Sequence, residues 1–315
     1  MGPTFTSGAI SWRQGAARPR RGRRCGRSWL AAALALALSQ GAADAAPNPT
    51  LRLGIHNGLL SAPAIEVDAM AQAVANQFGR ISGRRVSYEV NYGGTAIARS
   101  LLEPGHFDLA LTRPGNLTAA LLAKGWQLLA NGRDPTQGVN FIARACPGRP
   151  GQVQLGGPSL QMLGVHNPPP ETCVALADVW KSPAVRFLTA AKGSLVDLVT
   201  RRVVADHGGE AAHVLNTDTQ TTVPDFMSTM HVAIIGAVSP HVAGQWTQQG
   251  GVVVFHQPMP PLAMLAAPGL AAETVATLRA GLAEPGTAAA LGRTLGIAGI
   301  DPPDAKPFRE FMRWL

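Results

Sequence analysis

The apolar run Phe107 to Leu111 stops at Thr112-Arg113-Pro114-Gly115-Asn116, and an Ala/Leu-rich stretch from Leu117 to Ala123 follows. That succession, a short strand-like run, a turn of hydroxyl, amide, Gly or Pro, then a helical pattern, repeats along the chain and limits the folds open to it. Leu51 to Ile55 reads as a strand. Val67 to Phe78 reads as a helix with Met70, Ala73, Val74 and Phe78 on one face. Val86 to Val90 alternates as a strand, Ala96 to Leu102 reads as a short helix, and Gly138 to Ala143 as another strand. Strands alternating with helices predict an α/β protein with mostly parallel sheets.

A second block has the same grammar. Leu163 to Val165 reads as a strand and Cys173 to Trp180 as a helix. Ser194-Leu195-Val196-Asp197 is a capping box for a helix running to about Val204. Val232 to Val238 and Gly251 to Phe255 read as strands around a helix at Pro240 to Gln248. His256-Gln257-Pro258-Met259-Pro260-Pro261 cannot continue a central strand or a helix, so the chain changes direction there. Helices at Ala272 to Leu282 and Thr287 to Leu295, split by Pro285-Gly286, and an amphipathic tail from Phe308 to Leu315 follow. Two lobes are expected: residues 46–143, residues 144–255, and a return to the first lobe over residues 256–315.

The formal charge of +8 suggests a polyanionic partner until the charge is located. Residues 1–45 hold seven Arg and one Asp, so without them the remainder carries only +2. Within that segment the basic stretch precedes the uncharged run Trp29 to Leu38 and the small-residue pattern Ala43-Asp44-Ala45. This is the layout of a secretory signal peptide cleaved near Ala45. The run is shorter than the roughly 20 apolar residues that a membrane span needs. The mature chain is therefore expected outside the cytoplasm, in the periplasm, with no nucleic-acid partner and no membrane insertion. In that oxidising setting Cys146 and Cys173 are expected to form a disulfide; the alternative is two buried free thiols.

Five turns place hydroxyl or amide residues ahead of a helix: Asn91 to Thr95, Thr112 to Asn116, Pro168 to Thr172, Gln220 to Asp225 with a capping box from Thr222 to Asp225, and Ser239-Pro240. Each would offer unpaired N–H groups and a positive helix end. Singly each reads as a cap. Converging, they would make a receptor for a small anion, with Arg113 adding charge.

The order of these segments resembles the phosphonate/phosphite-type periplasmic solute-binding proteins of ABC transporters. The likeness rests on Leu51-Arg52-Leu53-Gly54-Ile55, the Tyr-bearing turn Asn91-Tyr92-Gly93-Gly94-Thr95, Phe107-Asp108-Leu109-Ala110, Gly236-Ala237-Val238 and the proline-rich Gln257-Pro258-Met259-Pro260. It implies the two-lobed type II periplasmic binding protein fold, each lobe a sheet flanked by helices with the ligand cleft between them. It implies capture of a small oxyanion and delivery to a permease by a monomer that needs no cofactor and does no chemistry. The ligand residues it implies are Tyr92, Thr112, Thr172, Gln220, Thr221, Thr222 and the Ser239 position, and the helix-start turns themselves add Thr95, Arg113 and Asn116 as candidates. Ser239 falls where the family often carries an acidic residue for a ligand amine, and Glu171 where it usually has a hydroxyl, which argues against an amino-phosphonate. Two alternatives on the same fold stay open. One is a metal-acquisition receptor using His56, His166 and His256. The other is a ligand sensor with no permease. The sequence has no G-x-S-x-G, H-E-x-x-H or P-loop pattern that would favour an enzyme.

The leader gives the first test. When the full-length gene is expressed in a bacterial host, the exported protein should have the intact mass of a chain starting at Ala46. A periplasmic product that keeps the Arg-rich segment would contradict the assignment.

Overall fold

The computed structural model describes residues 49–56, 64–91, 96–149, 151–155, 172–229 and 233–315. Residues 48–315 form one compact unit. The first sheet contains β1 (Leu51–His56), β2 (Val86–Asn91), β3 (Leu109–Thr112) and β4 (Gln127–Arg133), with α1 (Ala64–Ser82), α2 (Ala96–Leu102) and α3 (Gly115–Ala123) between them. The chain then builds a second sheet from β5 (Gly138–Ala145), β6 (Gln152–Leu155), β7 (Thr172–Ala175), β8 (Val185–Thr189), β9 (Val214–Asn216), β10 (Ala233–Val238) and β11 (Gly251–Pro258). Its helices are α4 (Leu195–Asp206), α5 (Val223–Thr229) and α6 (Pro240–Gln248). The chain returns to the first sheet through β12 (Leu262–Ala266) and β13 (Gly299–Asp301), with α7 (Ala272–Ala283), α8 (Pro285–Leu295) and α9 (Lys306–Trp314).

The strand orders are β13-β4-β12-β3-β1-β2 and β7-β6-β5-β10-β8-β9, with β11 paired to β5. Both sheets are mixed rather than mostly parallel. In the first, β2, β1 and β3 run parallel, while β12, β4 and β13 join by antiparallel pairing. In the second only β10, β8 and β9 pair in parallel. The strands entering and leaving each sheet cross directly from the other one, without the helical crossover that a parallel neighbour needs.

Each sheet is covered on both faces, which is why its strands read as nearly continuous apolar runs. On one face of the first sheet, Val74, Ala75 and Phe78 of α1 pack with Leu53, Ile55, Leu109 and Leu111. The buried stripe of α1 is Val67, Ala71, Val74, Ala75 and Phe78, so Ala71 rather than Ala73 points inward. On the second sheet, Phe141, Trp180 and Phe187 anchor one face, and Val223, Val238, Val242 and Trp246 the other. Trp180 stacks on Phe187 with ring centroids 5.4 Å apart.

The sheet-to-sheet crossings occupy residues 134–137 and 259–261. They were expected after 143 and 255. All of β5 belongs to the second sheet, and β11 continues through His256 and Gln257 to Pro258. Pro258 is tolerated because β11 is an edge strand, where one missing N–H leaves no ladder partner unsatisfied.

The expected helix at Cys173 is absent. Thr172 and Cys173 lie in β7, which pairs with β6 over Gln152 to Leu155, and only a short 3₁₀ turn follows at Leu176–Asp178. The expected strand at 163–165 lies outside the described residues. The α-carbons of Cys146, just beyond β5, and Cys173 are 5.9 Å apart and their sulfurs are joined, a separation a disulfide accepts. Denatured, unreduced mature protein should therefore give no reaction with a thiol reagent, and two thiols after reduction. Two thiols before reduction would exclude the bridge.

Candidate functional site

Backbone register aligns the polar ends of both sheets. In the first, His56 pairs with Asn91 on one side and Thr112 on the other, and Thr112 pairs onward with Ala263. In the second, Asn140 pairs with Val238 and with His256. Gln137 links the two rows. Three residues before Asn140, its side-chain amide donates to the Arg113 carbonyl at 3.3 Å and also to the Pro260 carbonyl. Its backbone carbonyl accepts from the Met259 N–H at 3.2 Å.

Arg113 follows β3, and its N–H donates to the His56 carbonyl at 3.1 Å. Its guanidinium is buried beside the carboxylate of Asp134, Nη1 to Oδ2 3.6 Å, with each side chain 9% exposed. Burial pulls the Arg113 pKa down and the Asp134 charge pushes it back up; a guanidinium stays protonated at neutral pH regardless. Nε and Nη2 are both buried with no hydrogen-bond partner among the described residues. Those two N–H groups share the guanidinium edge that meets two oxygens in parallel. His56, whose backbone pairs with Thr112, has its Nδ1 likewise buried with no hydrogen-bond partner among the described residues.

Thr112 lies beneath this turn. It is fully buried, and its hydroxyl is 2.6 Å from that of Thr118, which reaches the Pro114 carbonyl at 3.3 Å. The pair closes the turn into α3 and leaves Thr112 no free hydroxyl for a ligand. Asn116 is the second residue of α3 and faces α9. It lines a groove of about 440 Å³ with Ala119, Ala120, Arg309, Met312 and Arg313. Tyr92, Thr95 and His166 lie outside the described residues.

In the second lobe the candidate turn at Thr172 starts no helix, because Thr172 lies in β7, and the starts of α4, α5 and α6 differ. At α4 the capping box forms: Ser194 Oγ accepts from the Asp197 N–H at 3.2 Å. The buried Asp197 carboxylate also accepts from Gly193 N–H, Arg201 Nε and Asn216 Nδ2 at 2.8–2.9 Å. This helix start already holds an anion.

The box expected from Thr222 to Asp225 does not form. The Thr222 hydroxyl donates to the Thr219 carbonyl at 2.8 Å, and Thr221 pairs with the Thr219 hydroxyl at 2.9 Å. Thr219 lies within reach of both, so the turn bonds to itself. Gln220 Oε1 reaches across and accepts from the Ser239 N–H at 2.8 Å. Ser239 itself, at the start of α6, is fully buried, and its Oγ has no partner among the described residues. It makes no cap bond, so α6 keeps an open N-terminus.

His256 sits over Gly138, where a Cβ would collide with the imidazole and with the Gln257 carbonyl. Its Nδ1 is 2.8 Å from Asn140 Oδ1, and Nε2 is buried without a partner. Among the described residues no group of three or more His, Cys, Asp or Glu could hold a metal ion. Sequence reasoning missed Asp134, Gln137 and Asn140. The one local signal was Asp134-Pro135-Thr136, an Asx turn in which Asp134 Oδ1 accepts from Thr136 N–H and Oγ at 3.0 and 2.7 Å.

No protein-family model matches this sequence, and no curated protein is similar to it at the sequence level. Solved structures are similar in fold. PhnD1 from Prochlorococcus marinus (MIT 9301), in complex with methylphosphonate, superposes with a TM-score of 0.60 at 11% identity, covering 84% of this chain and 96% of that one. XAC2383 from Xanthomonas citri superposes at 0.54 in its ATP-bound form and 0.53 with chloride, at 15% and 14% identity and the same coverage. The chain has the two-lobed fold of type II periplasmic binding proteins.

His56 supplies a pH test. Burial holds its imidazole below the ordinary value of 6.5, against a smaller opposing effect of its own backbone. Above that value folded and unfolded states are both neutral. As pH falls below it, the unfolded chain takes up a proton that the folded chain refuses, so stability falls until the folded-state pKa is reached. Urea unfolding at pH of about 7.5 and about 5.5 should show this loss in the parent and a smaller one in His56→Gln. Equal losses would show that His56 is not the group responsible.

Proposed function

We propose that this protein is the solute-binding component of an ABC importer, and that it holds a small phosphonate-, phosphite- or phosphate-like oxyanion between its lobes. The observation that carries this reading is the free edge of Arg113. The guanidinium is already buried and fixed by Asp134 through Nη1, while Nε–H and Nη2–H are left unpaired. An unpaired donor inside a protein is costly, and an oxyanion with two oxygens would satisfy both at once in bidentate geometry. Asp134 orients the fork and offsets its charge, so Arg113 contributes directed donors and most of the ligand's charge is balanced by other dipoles and donors.

The second lobe contributes Ser239 Oγ and the open start of α6, whose partial positive charge favours an anion. His56 Nδ1 lies on the Arg113 side. Tyr92 and Thr95 are retained as contacts from the first lobe, Tyr92 packing on the ligand. The protein works in the periplasm after loss of residues 1–45, binds without chemical change, and hands its ligand to a permease. PhnD1 was solved with methylphosphonate, and XAC2383 with ATP or chloride. Each of those ligands carries negative charge, which supports the same class here. Among the described residues no helix is long and apolar enough to cross a membrane.

The test is a thermal-shift screen of residues 46–315 against phosphate, phosphite, methylphosphonate and sulfate. A ligand at about 100 times its Kd should stabilise by about 2.7 kcal/mol. Arg113→Lys keeps the charge and removes the fork, and should weaken the best ligand at least tenfold, about 1.4 kcal/mol. Silence from every oxyanion, or an affinity indifferent to Arg113→Lys in a folded variant, would reject the reading.

A further inference from the structure

The last helix belongs to both lobes. The approach to α9 is fastened to the first: Asn131 Nδ2 donates to the Asp304 carbonyl at 2.9 Å, and Asp304 Oδ1 accepts from the Lys306 N–H at 2.8 Å. Phe308 is fully buried in the first lobe's apolar cluster with Leu117, Leu121 and Trp126. Phe311, less than one helical turn later, belongs instead to the apolar cluster of the second sheet with Val139, Phe141 and Val203, and Trp314 and Leu315 pack against that cluster. The indole N–H of Trp314 donates to Asp206 Oδ2, at the end of α4, at 2.8 Å. The Arg202 guanidinium, one turn earlier on α4, lies 6.0 Å from the Trp314 ring centroid.

We infer that α9 is a latch across the hinge, a third connection between the lobes beside the two chain crossings, which holds them in the arrangement described here and releases at its Trp314 end. Phe308 and Trp314 are separated by about 9 Å along one continuous helix, which cannot stretch to follow a rotation of one lobe against the other. Its two ends are not equally held. The Phe308 end is fully buried and backed by β4. The other end is less enclosed: Phe311 is buried against the second sheet, but Trp314 and Leu315 are partly exposed and are held by apolar packing, one hydrogen bond to a carboxylate and one cation–π contact among the described residues. Rotation of the lobes therefore breaks the Trp314 seat and leaves α9 riding on the first lobe.

The experiment needs no ligand, so its failure is separate from failure of the oxyanion reading. Nitroxides are placed at Glu66→Cys, near the start of α1, and Lys192→Cys, in the turn before α4, both exposed. Mature protein without these cysteines serves as the labelling blank. Interlobe distances are measured by pulsed EPR in the ligand-free chain with the native C-terminus, with Trp314→Ala and with Trp314→Phe. Trp314→Ala removes the ring, its hydrogen bond and its cation–π contact, and should move at least about a third of the distance distribution to a second population, as expected when a two-state equilibrium loses a contact made in one state only. Trp314→Phe keeps a ring over Arg202, loses the hydrogen bond and should give an intermediate change. Should Trp314→Ala fail to fold, Trp314→Phe decides alone. Distributions that superimpose on the parent's in folded variants would overturn the latch.

Discussion

Everything at the junction of the two sheets hangs on the buried amide of Gln137. It stands in the first crossing, bonds the second through Met259 and Pro260, and holds the carbonyl of Arg113. Three backbone groups that would otherwise lie buried and unpaired are satisfied by one residue, which suits a place where two strands leave their ladders together. The arrangement also ties the position of the Arg113 turn to the paths of both crossings. The first crossing thus holds Arg113 twice, Gln137 at its carbonyl and Asp134 at its guanidinium.

The same economy governs charge. The α/β grammar gives the second lobe several helix starts on one edge, and three of them have different occupants. The start of α4 holds Asp197, itself held by Arg201 and Asn216. The turn before α5 is closed by its own threonines. The start of α6 has Gln220 on its Ser239 N–H and nothing on Ser239 Oγ. In the first lobe Arg113 carries a full charge with only one nitrogen engaged. Internal anions thus compensate some positive ends of the fold and leave others open, and the open ones define the candidate site.

Much of the fold was legible because its signals are local. Ser194 and Asp197 are three residues apart and form the cap that their spacing predicts, and Pro240 to Gln248 is a helix with the expected bounds. β4 was not legible: the stretch ending in Asn131-Gly132-Arg133 carried no assignment in the sequence, and it is a strand because β12 and β13 flank it. Cys173 looked like the start of a helix until a strand partner in β6 was present. The site was legible in part for the same reason. Arg113 stood out as a cation in a turn, but its significance depends on Asp134 and Gln137, more than twenty residues away. Thr112 and Thr222 were plausible ligand hydroxyls until Thr118 and the Thr219 carbonyl proved closer. A hydroxyl's partner is a matter of three-dimensional neighbours, which periodicity does not encode.

β7 is an outer strand of only four residues, and among the described residues its sole ladder partner is the equally short β6. So brief a pairing contributes little cohesion, and the Cys146–Cys173 link secures that rim covalently to the end of β5. The rim is therefore finished only after the thiols are oxidised. β7 leaves an open edge, the kind that recruits strands from other chains, and material produced under reducing conditions would have that edge unfastened as well. The route of manufacture therefore bears on the structure: only an oxidising route closes the Cys146–Cys173 link that ties this edge to the end of β5.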